Sequence, residues 1–340
     1  MMFKKDIGVD LGTANVLVHV RGQGIVLNEP SVVAIENQSK RVVAVGEEAR
    51  RMLGRTPGNI LAIRPLRDGV IADFEITEIM LKHFITKTIG KGLFSQPRVA
   101  VCVPAGITSV EQKAVRQATE AAGAKHVYLI EEPKAAAIGA GLDITQPSGS
   151  MVVDIGGGTT DVAVLSLGDV VTASSIRVAG DKFDEAIIRY IKRNHNLLIG
   201  ERTAEDIKIR VVSVKRGLRQ EEIDVRGRDM MTGLPKTVLI RTDDMVQALE
   251  ESAYAIVAAA KSVLEKTPPE LAADIFDKGV ILTGGGALLH GMDKLLTEEL
   301  EVPVYIADDP MECVARGTGS FLENIDKWGR PPAKKQRYRA

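Results

Sequence analysis

The chain has 340 residues, 45% hydrophobic and 26% charged, with a formal net charge of −1. That length suits two domains of moderate size, and the near-zero charge excludes a global field that would steer nucleic acid or an acidic substrate to the surface. Aromatic residues make up only 4%, so the cores must be aliphatic. Cys102 and Cys313 stand far apart in apolar surroundings, which reads as reduced, buried thiols of a cytosolic protein. Residues 1–5 lead straight into strand-like sequence without the apolar core of a signal peptide, and no apolar run is long enough for a bilayer. A cytoplasmic location is expected.

Residues 7–11 alternate apolar positions up to Asp10, Gly12-Thr13-Ala14-Asn15 reads as a tight polar turn, and residues 16–20 as a returning strand. Residues 31–73 mix short β-rich pieces (32–35 and 42–45) with a helical stretch over 47–53, as in a small inserted subdomain. A helix is expected over 77–89. In the loop after it, Lys91-Gly92-Leu93-Phe94-Ser95 places two large apolar residues beside a lysine; such a pair tucks into a core or, exposed, wedges into a membrane. Residues 98–103 form a strand stopped by Pro104, and 109–122 a helix with capping residues at its start. A buried strand over 126–130 delivers Glu131-Glu132-Pro133 to its C-terminal end, where open α/β sheets bind ligands. An alanine-rich helix follows over 134–142.

The stretch Met151-Val152-Val153-Asp154-Ile155-Gly156-Gly157-Gly158-Thr159-Thr160-Asp161 carries the strongest chemistry. Glycine amides and threonine hydroxyls suit phosphate oxygens, and the carboxylates suit a hydrated magnesium ion. Val9-Asp10-Leu11-Gly12-Thr13 matches Val153-Asp154-Ile155-Gly156-Gly157 in chemistry, and a β-rich run follows each. An internal duplication is the simplest reading: two hairpins facing each other across a cleft grip a triphosphate, with Asp10 and Asp154 converging on one metal ion. Asp181 is placed to cap a helix running to about residue 194. In the charged helix 201–208, Glu205 and Lys208 share a face, the bland alternative being a solvated ion pair. Residues 211–241 are β-rich, a second insertion, and a long helix over 243–265 is stopped by Pro268-Pro269. A strand over 279–282 runs into Thr283-Gly284-Gly285-Gly286-Ala287, with a helix expected after the glycines, so that main chain lies flat against a purine and ribose. The tail over 328–340 holds five basic residues and no acidic one, and is expected to be disordered.

The three glycine-bearing turns, in this order, resemble the actin, hexokinase and heat-shock chaperone superfamily. Within it, Asp6-Ile7-Gly8-Val9-Asp10-Leu11-Gly12-Thr13-Ala14-Asn15, Asn28-Glu29-Pro30-Ser31-Val32, Arg64-Pro65-Leu66-Arg67-Asp68-Gly69-Val70-Ile71-Ala72-Asp73-Phe74 and Gly200-Glu201-Arg202-Thr203-Ala204-Glu205 are similar to the MreB/Mbl family of bacterial actins, over about residues 4–325. The resemblance implies an α/β, actin-like ATPase fold of two duplicated lobes, each with a small inserted subdomain, and a nucleotide cleft between them. The first core would comprise 1–31, 74–147 and 317–327 with 32–73 inserted; the second, 148–179 and 246–316 with 180–245 inserted; 328–340 remain as the basic tail. It further implies a homopolymer of paired protofilaments on the inner face of the cytoplasmic membrane. There it guides the cell-wall elongation machinery in peptidoglycan synthesis and so determines rod shape. The cofactors implied are ATP, with GTP as the alternative, and Mg2+, with slow hydrolysis coupled to polymerisation.

Position by position, the resemblance implies that Gly12, Thr13, Ala14 and Asn15, with Gly156, Gly157, Gly158 and Thr159, hold phosphates, while Asp10 and Asp154 orient magnesium through water. Gly180, Asp181, Glu205, Lys208, Gly284, Gly285, Gly286 and Ala287 would complete the nucleotide site. Glu131 would position or activate the attacking water, Glu132 being the second candidate, and Leu93-Phe94 would be a membrane-insertion loop. Asp161, glutamate in many of these proteins, is assigned no role of its own. A chaperone-type ATPase would need a substrate-binding domain after residue 327, and a sugar or acetate kinase a general base for its acceptor.

Overall fold

The computed structural model describes residues 6–89 and 97–325; Leu93, Phe94 and the basic tail lie outside them. Two five-stranded sheets share one plan. In the first, Asp6–Leu11, Asn15–Val20 and Gly24–Pro30 form an antiparallel meander, and Asp6–Leu11 also pairs in parallel with Arg98–Val103, which pairs in parallel with His126–Glu131. In the second, Ser150–Ile155, Thr160–Ser166 and Asp169–Ile176 form the meander, and Ser150–Ile155 continues in parallel to Val280–Thr283 and then Val304–Ile306. The duplication seen in the two aspartate turns therefore extends to strand order and direction. Ser150–Ile155 is buried along its whole length, which is why Met151, Val152 and Val153 follow one another as apolar residues rather than alternating with polar ones.

Each half carries a small extra sheet. Val33–Glu36, Val42–Val45 and Ile60–Ile63 make one; Leu197–Leu198, Glu222–Asp229 and Pro235–Arg241 make the other. Leu66–Arg67 and Val70–Ile71 form a hairpin on the two-residue turn Asp68-Gly69, both at positive φ, the conformation that an Asp-Gly pair favours.

Two helices, Glu132–Gly139 and Cys313–Glu323, lie between the large sheets. Ala100, Cys102 and Ile130 from the first sheet and Val152, Ala163 and Leu165 from the second share one core with Ala135, Ala136, Ala137, Val314, Phe321 and Leu322. The helices cross backbone to backbone. A β-carbon on Gly139 would overlap the Cys313 carbonyl and stand 2.8 Å from Gly317 N; one on Gly317 would overlap the Ala135 carbonyl and stand 2.9 Å from Gly139 N. Each lobe packs against the other through this crossing.

Several elements depart from the sequence reading. The helix after residue 131 begins at Glu132, two residues early, because Pro133 is tolerated in its first turn. Pro269 likewise opens a helix, Pro269–Lys278, directly after Thr242–Glu265 ends, so Pro268-Pro269 is a junction and not only a stop. After Gly284 the chain makes a single 3₁₀ turn, Gly285–Leu288, and the α-helix waits until Met292.

Candidate functional site

The glycine turns meet between the sheets. A β-carbon on Gly157 would stand 2.8 Å from Ala14 Cβ, and one on Gly158 2.5 Å from Thr13 Oγ1 and 2.9 Å from Gly69 N. Only glycine permits so close an approach of hairpin to hairpin. The Gly69 N–H donates to Thr13 Oγ1 at 3.1 Å, so the Asp68-Gly69 turn joins the pair as a third element. Behind them Gly284 turns at φ 79°, and a β-carbon there would lie 2.9 Å from Asp154 Oδ1, which also accepts from Thr283 Oγ1 at 2.8 Å. The three glycine motifs thus form one continuous lining of backbone amides and hydroxyls, the donor set that phosphate oxygens need.

Beneath this lining lies a floor of four carboxylates, Asp10, Glu132, Asp154 and Asp161, none with a lysine or arginine partner among the described residues. Asp154 and Asp161 face each other across the antiparallel pair. Asp10 Oδ1 accepts from the buried Cys102 thiol at 3.3 Å. Asp161 Oδ1 accepts from the Ala105 amide at 2.7 Å, a bond from one lobe to the other. Burial pushes Asp10 up to about 6 and Asp154 and Asp161 up to about 7. Glu132 is held well above the usual carboxylate range, by burial first and then by the negative charges of Asp161, Asp10 and Asp154. Among the described residues no three such groups stand close enough to bind a metal ion directly, so Asp10 and Asp154 fit a magnesium ion that keeps its own waters between itself and the carboxylates.

The two adjacent glutamates separate here. Glu132 joins the floor, whereas Glu131 is exposed and lies by Asp169 and Lys134, which pair with each other at 3.4 Å. The resemblance ranked Glu131 first; the geometry puts Glu132 with the phosphate turns.

At the rim, Lys208 Nζ donates to Gly180 O at 3.2 Å and to Asp184 Oδ2 at 2.9 Å, while Glu205 faces Arg50 Nη1 at 3.8 Å. Glu205 and Lys208 share a helix face but do not pair with each other. Asp181 does not cap its helix, contrary to the sequence reading. Gly180–His195 starts from Ala179 with no side-chain cap, and the Asp181 carboxylate instead receives Arg64 Nη1 at 3.0 Å. Gly180 and Asp181 remain at the phosphate turn through main chain, their amides donating to the Gly156 and Gly157 carbonyls at 3.1 and 2.8 Å. Ion pairs from Arg50 and Arg64 thus span the cleft mouth.

The sequence profile described as "MreB/Mbl protein" matches residues 4–330. The chain belongs to the MreB/Mbl family. It is 68% identical over 326 residues to the cell shape-determining protein Mbl of Bacillus subtilis (strain 168), covering 96% of this chain and 98% of that one. To the cell shape-determining protein MreB of Escherichia coli (strain K12) it is 56% identical over 334 residues, 96% of each chain. The crystal structure of MreB 5 of Spiroplasma citri bound to AMPPNP superposes with a TM-score of 0.91 at 40% identity, over 96% of this chain and 98% of that one. The MreB/Mbl fold is therefore the actin-like arrangement of two α/β lobes. No helix among the described residues is long and apolar enough to cross a membrane.

Sequence reasoning left Arg50, Arg64, Gly69, Cys102, Ala105 and Asp184 without a part in this MreB/Mbl cleft. The Asp-Gly dipeptide at 68–69 was a readable turn signal. Arg50, Arg64 and Ala105 become visible only when the lobes meet, and Cys102 and Asp184 only when separate elements of one lobe pack together.

The carboxylate floor sets a pH dependence. The folded chain holds protons on Asp154 and Asp161 up to about pH 7, where the unfolded chain has lost them near pH 4. Their contribution to stability is complete below the unfolded value, falls as pH rises, and is gone above the folded value. In the presence of a chelator, melting is expected to be a few degrees higher at pH 6 than at pH 8, about 1–2 kcal/mol, and Asp154→Asn should flatten the difference. Scanning calorimetry checks this; a higher melting temperature at pH 8 contradicts it.

Proposed function

We propose that this chain is a nucleotide-dependent, filament-forming bacterial actin that binds ATP between its lobes and hydrolyses it slowly to regulate the filament. The observation that carries the reading is the convergence of three glycine turns over a floor of carboxylates, Asp154 and Asp161 buried and Asp10 and Glu132 half-buried. Residues 12–15 and 156–159 would hold phosphates from the two lobes, Gly284, Gly285, Gly286 and Ala287 would support the nucleoside, and Lys208, tied to Gly180 and Asp184, would stiffen the wall beside it. Asp10 and Asp154 would hold magnesium through water. When bound, the ion supplies charge neutralisation on the phosphate oxygens.

Hydrolysis needs positioning more than covalent chemistry. A glutamate whose basicity is raised by burial is suited to take a proton from water as the water oxygen bonds to the γ-phosphorus and the bridging oxygen leaves with ADP. On this reading Glu132 performs that role, and Glu131 sits one residue too far round the strand end. The relation to Mbl and MreB, named for cell shape, supports a role in rod shape, in which the filament lies on the cytoplasmic membrane and organises the peptidoglycan machinery. The Spiroplasma protein's AMPPNP supports the nucleotide. Leu93-Phe94 is proposed as the lipid contact, each weak copy multiplied along a polymer.

Electron microscopy with Mg·ATP on anionic vesicles tests this: paired filaments on the lipid are expected, and a Leu93→Ser/Phe94→Ser variant should polymerise without coating vesicles. A chain that stays monomeric with ATP on lipid overturns the reading.

A further inference from the structure

The helix Phe74–Ile89 turns Ile76, Met80 and Phe84 into the core of the first lobe. Its next face, along Ile79 and Thr86, looks instead across at Val42 and Val45 of the small sheet, and between them runs a groove of about 600 Å³. Val42, Val45 and Ile79 are each only half-buried, so this side of the core opens to the surface through aliphatic walls. Such a groove is unfavourable in water and matches the apolar body of a ligand.

Its rim is basic. Lys82 and Lys87 both border the groove, and no carboxylate of the described residues does. Lys87 Nζ is held by Glu29 Oε1 at 2.6 Å. Lys82 is exposed and has no hydrogen-bond or ion-pair partner among the described residues, so one positive charge stands free beside the apolar walls. Aliphatic walls under a free cation fit a molecule with a hydrocarbon chain and an anionic head. The groove follows the last turns of a helix that ends at Ile89, four residues before Leu93 of the proposed lipid contact, so at most about 14 Å of chain separates the two. That proximity favours the membrane as the source of the ligand.

We propose that this groove binds a single anionic phospholipid of the membrane, an acyl chain lying between Val42, Val45 and Ile79 while the headgroup phosphate accepts from Lys82 Nζ. The chain supplies apolar contact and the lysine selects the charge of the head. The inference rests on the reading of the chain as a filament protein that lies on the membrane.

Dihexanoyl-phosphatidylglycerol below its micelle concentration is the probe, titrated into the full chain with ADP and followed by calorimetry and native mass spectrometry. Saturable binding of one lipid per chain is expected, with dihexanoyl-phosphatidylcholine, which has no net charge, weaker by roughly 5-fold or more. Lys82→Glu should weaken the anionic lipid by roughly 5- to 30-fold, and Thr86→Trp, which fills the groove from the helix side, by at least about tenfold. Lys82 is exposed, so its variant keeps the test open if the tryptophan disturbs the fold. Leu93→Ser/Phe94→Ser should keep the single-lipid affinity while losing the vesicle coat. Equal affinity for the two lipids, or binding that Lys82→Glu and Thr86→Trp leave unchanged, overturns the inference. So does loss of binding in Leu93→Ser/Phe94→Ser, which would put the lipid on that segment. Wild-type filaments on vesicles in any of these cases leave the membrane reading standing, whereas a chain that never coats vesicles with ATP overturns that reading, and with it the membrane as the source of the lipid.

Discussion

Gly317→Ala is expected to destabilise the protein by about 3–5 kcal/mol, against the sign that helix propensity gives. Gly317 lies inside the helix Cys313–Glu323, where replacing glycine by alanine ordinarily gains about 1 kcal/mol. Here the added methyl would overlap the Ala135 carbonyl and press within 2.9 Å of Gly139 N. Both obstacles are main chain, so no rotamer change relieves them, and the helices must separate. Separation opens the shared core of Ala135, Ala136, Val314, Phe321 and Leu322, which is the joint between the lobes. A loss of this size is a large part of the 5–15 kcal/mol that holds a typical domain together. Denaturant unfolding measures it. Gly58→Ala is the control: it is exposed in a turn, has open space around it and does not adopt a positive φ, so a change within about 0.5 kcal/mol is expected. Wild-type stability of Gly317→Ala would mean that the helices do not cross as closely as described.

Glu132→Gln is expected to slow phosphate release by about 10²–10³-fold while leaving ATP binding intact. The amide is isosteric and cannot take a proton, so the proposed chemical role is lost. The same change removes one negative charge from beside Asp161, Asp10 and Asp154. Repulsion in the floor falls, and the variant should bind ATP at least as tightly and melt no lower than wild type at pH 8. Loss of rate together with unchanged or improved binding and stability separates a catalytic role from structural damage. A coupled enzyme assay and a melting curve suffice.

The frame of the molecule was largely legible in the chain. Repetition of strand, aspartate and small-residue turn at Asp10 and Asp154 announced a duplicated architecture, because a strand end, a carboxylate and a tight turn leave strong local marks. Thr108 and Glu111 form the capping box that their spacing suggests. Long-range partners left no such mark. Nothing local to Asp181 shows that Arg64 will reach it from the other side of the cleft, so the nearest role, a helix cap, was read in its place. Glu131 and Glu132 are identical in type and adjacent in sequence. Which one enters the floor depends on where the strand His126–Glu131 ends and the helix from Glu132 begins, a boundary that sequence placed two residues late. Asp161 reads as a strand residue next to a glycine turn, and only the approach of Ala105 from the first lobe shows that one of its oxygens is held across the cleft.

Under the proposed function, ATP hydrolysis depends on the floor beneath the glycine turns, which Glu132 enters and Glu131 does not. Quenched-flow measurement of phosphate release under single-turnover conditions, on Glu131→Gln and Glu132→Gln side by side at matched ATP occupancy, tests it most directly. The structure predicts a rate within about threefold of wild type for Glu131→Gln and a loss of about 10²–10³-fold for Glu132→Gln. The opposite order, or two variants equally fast, would contradict it.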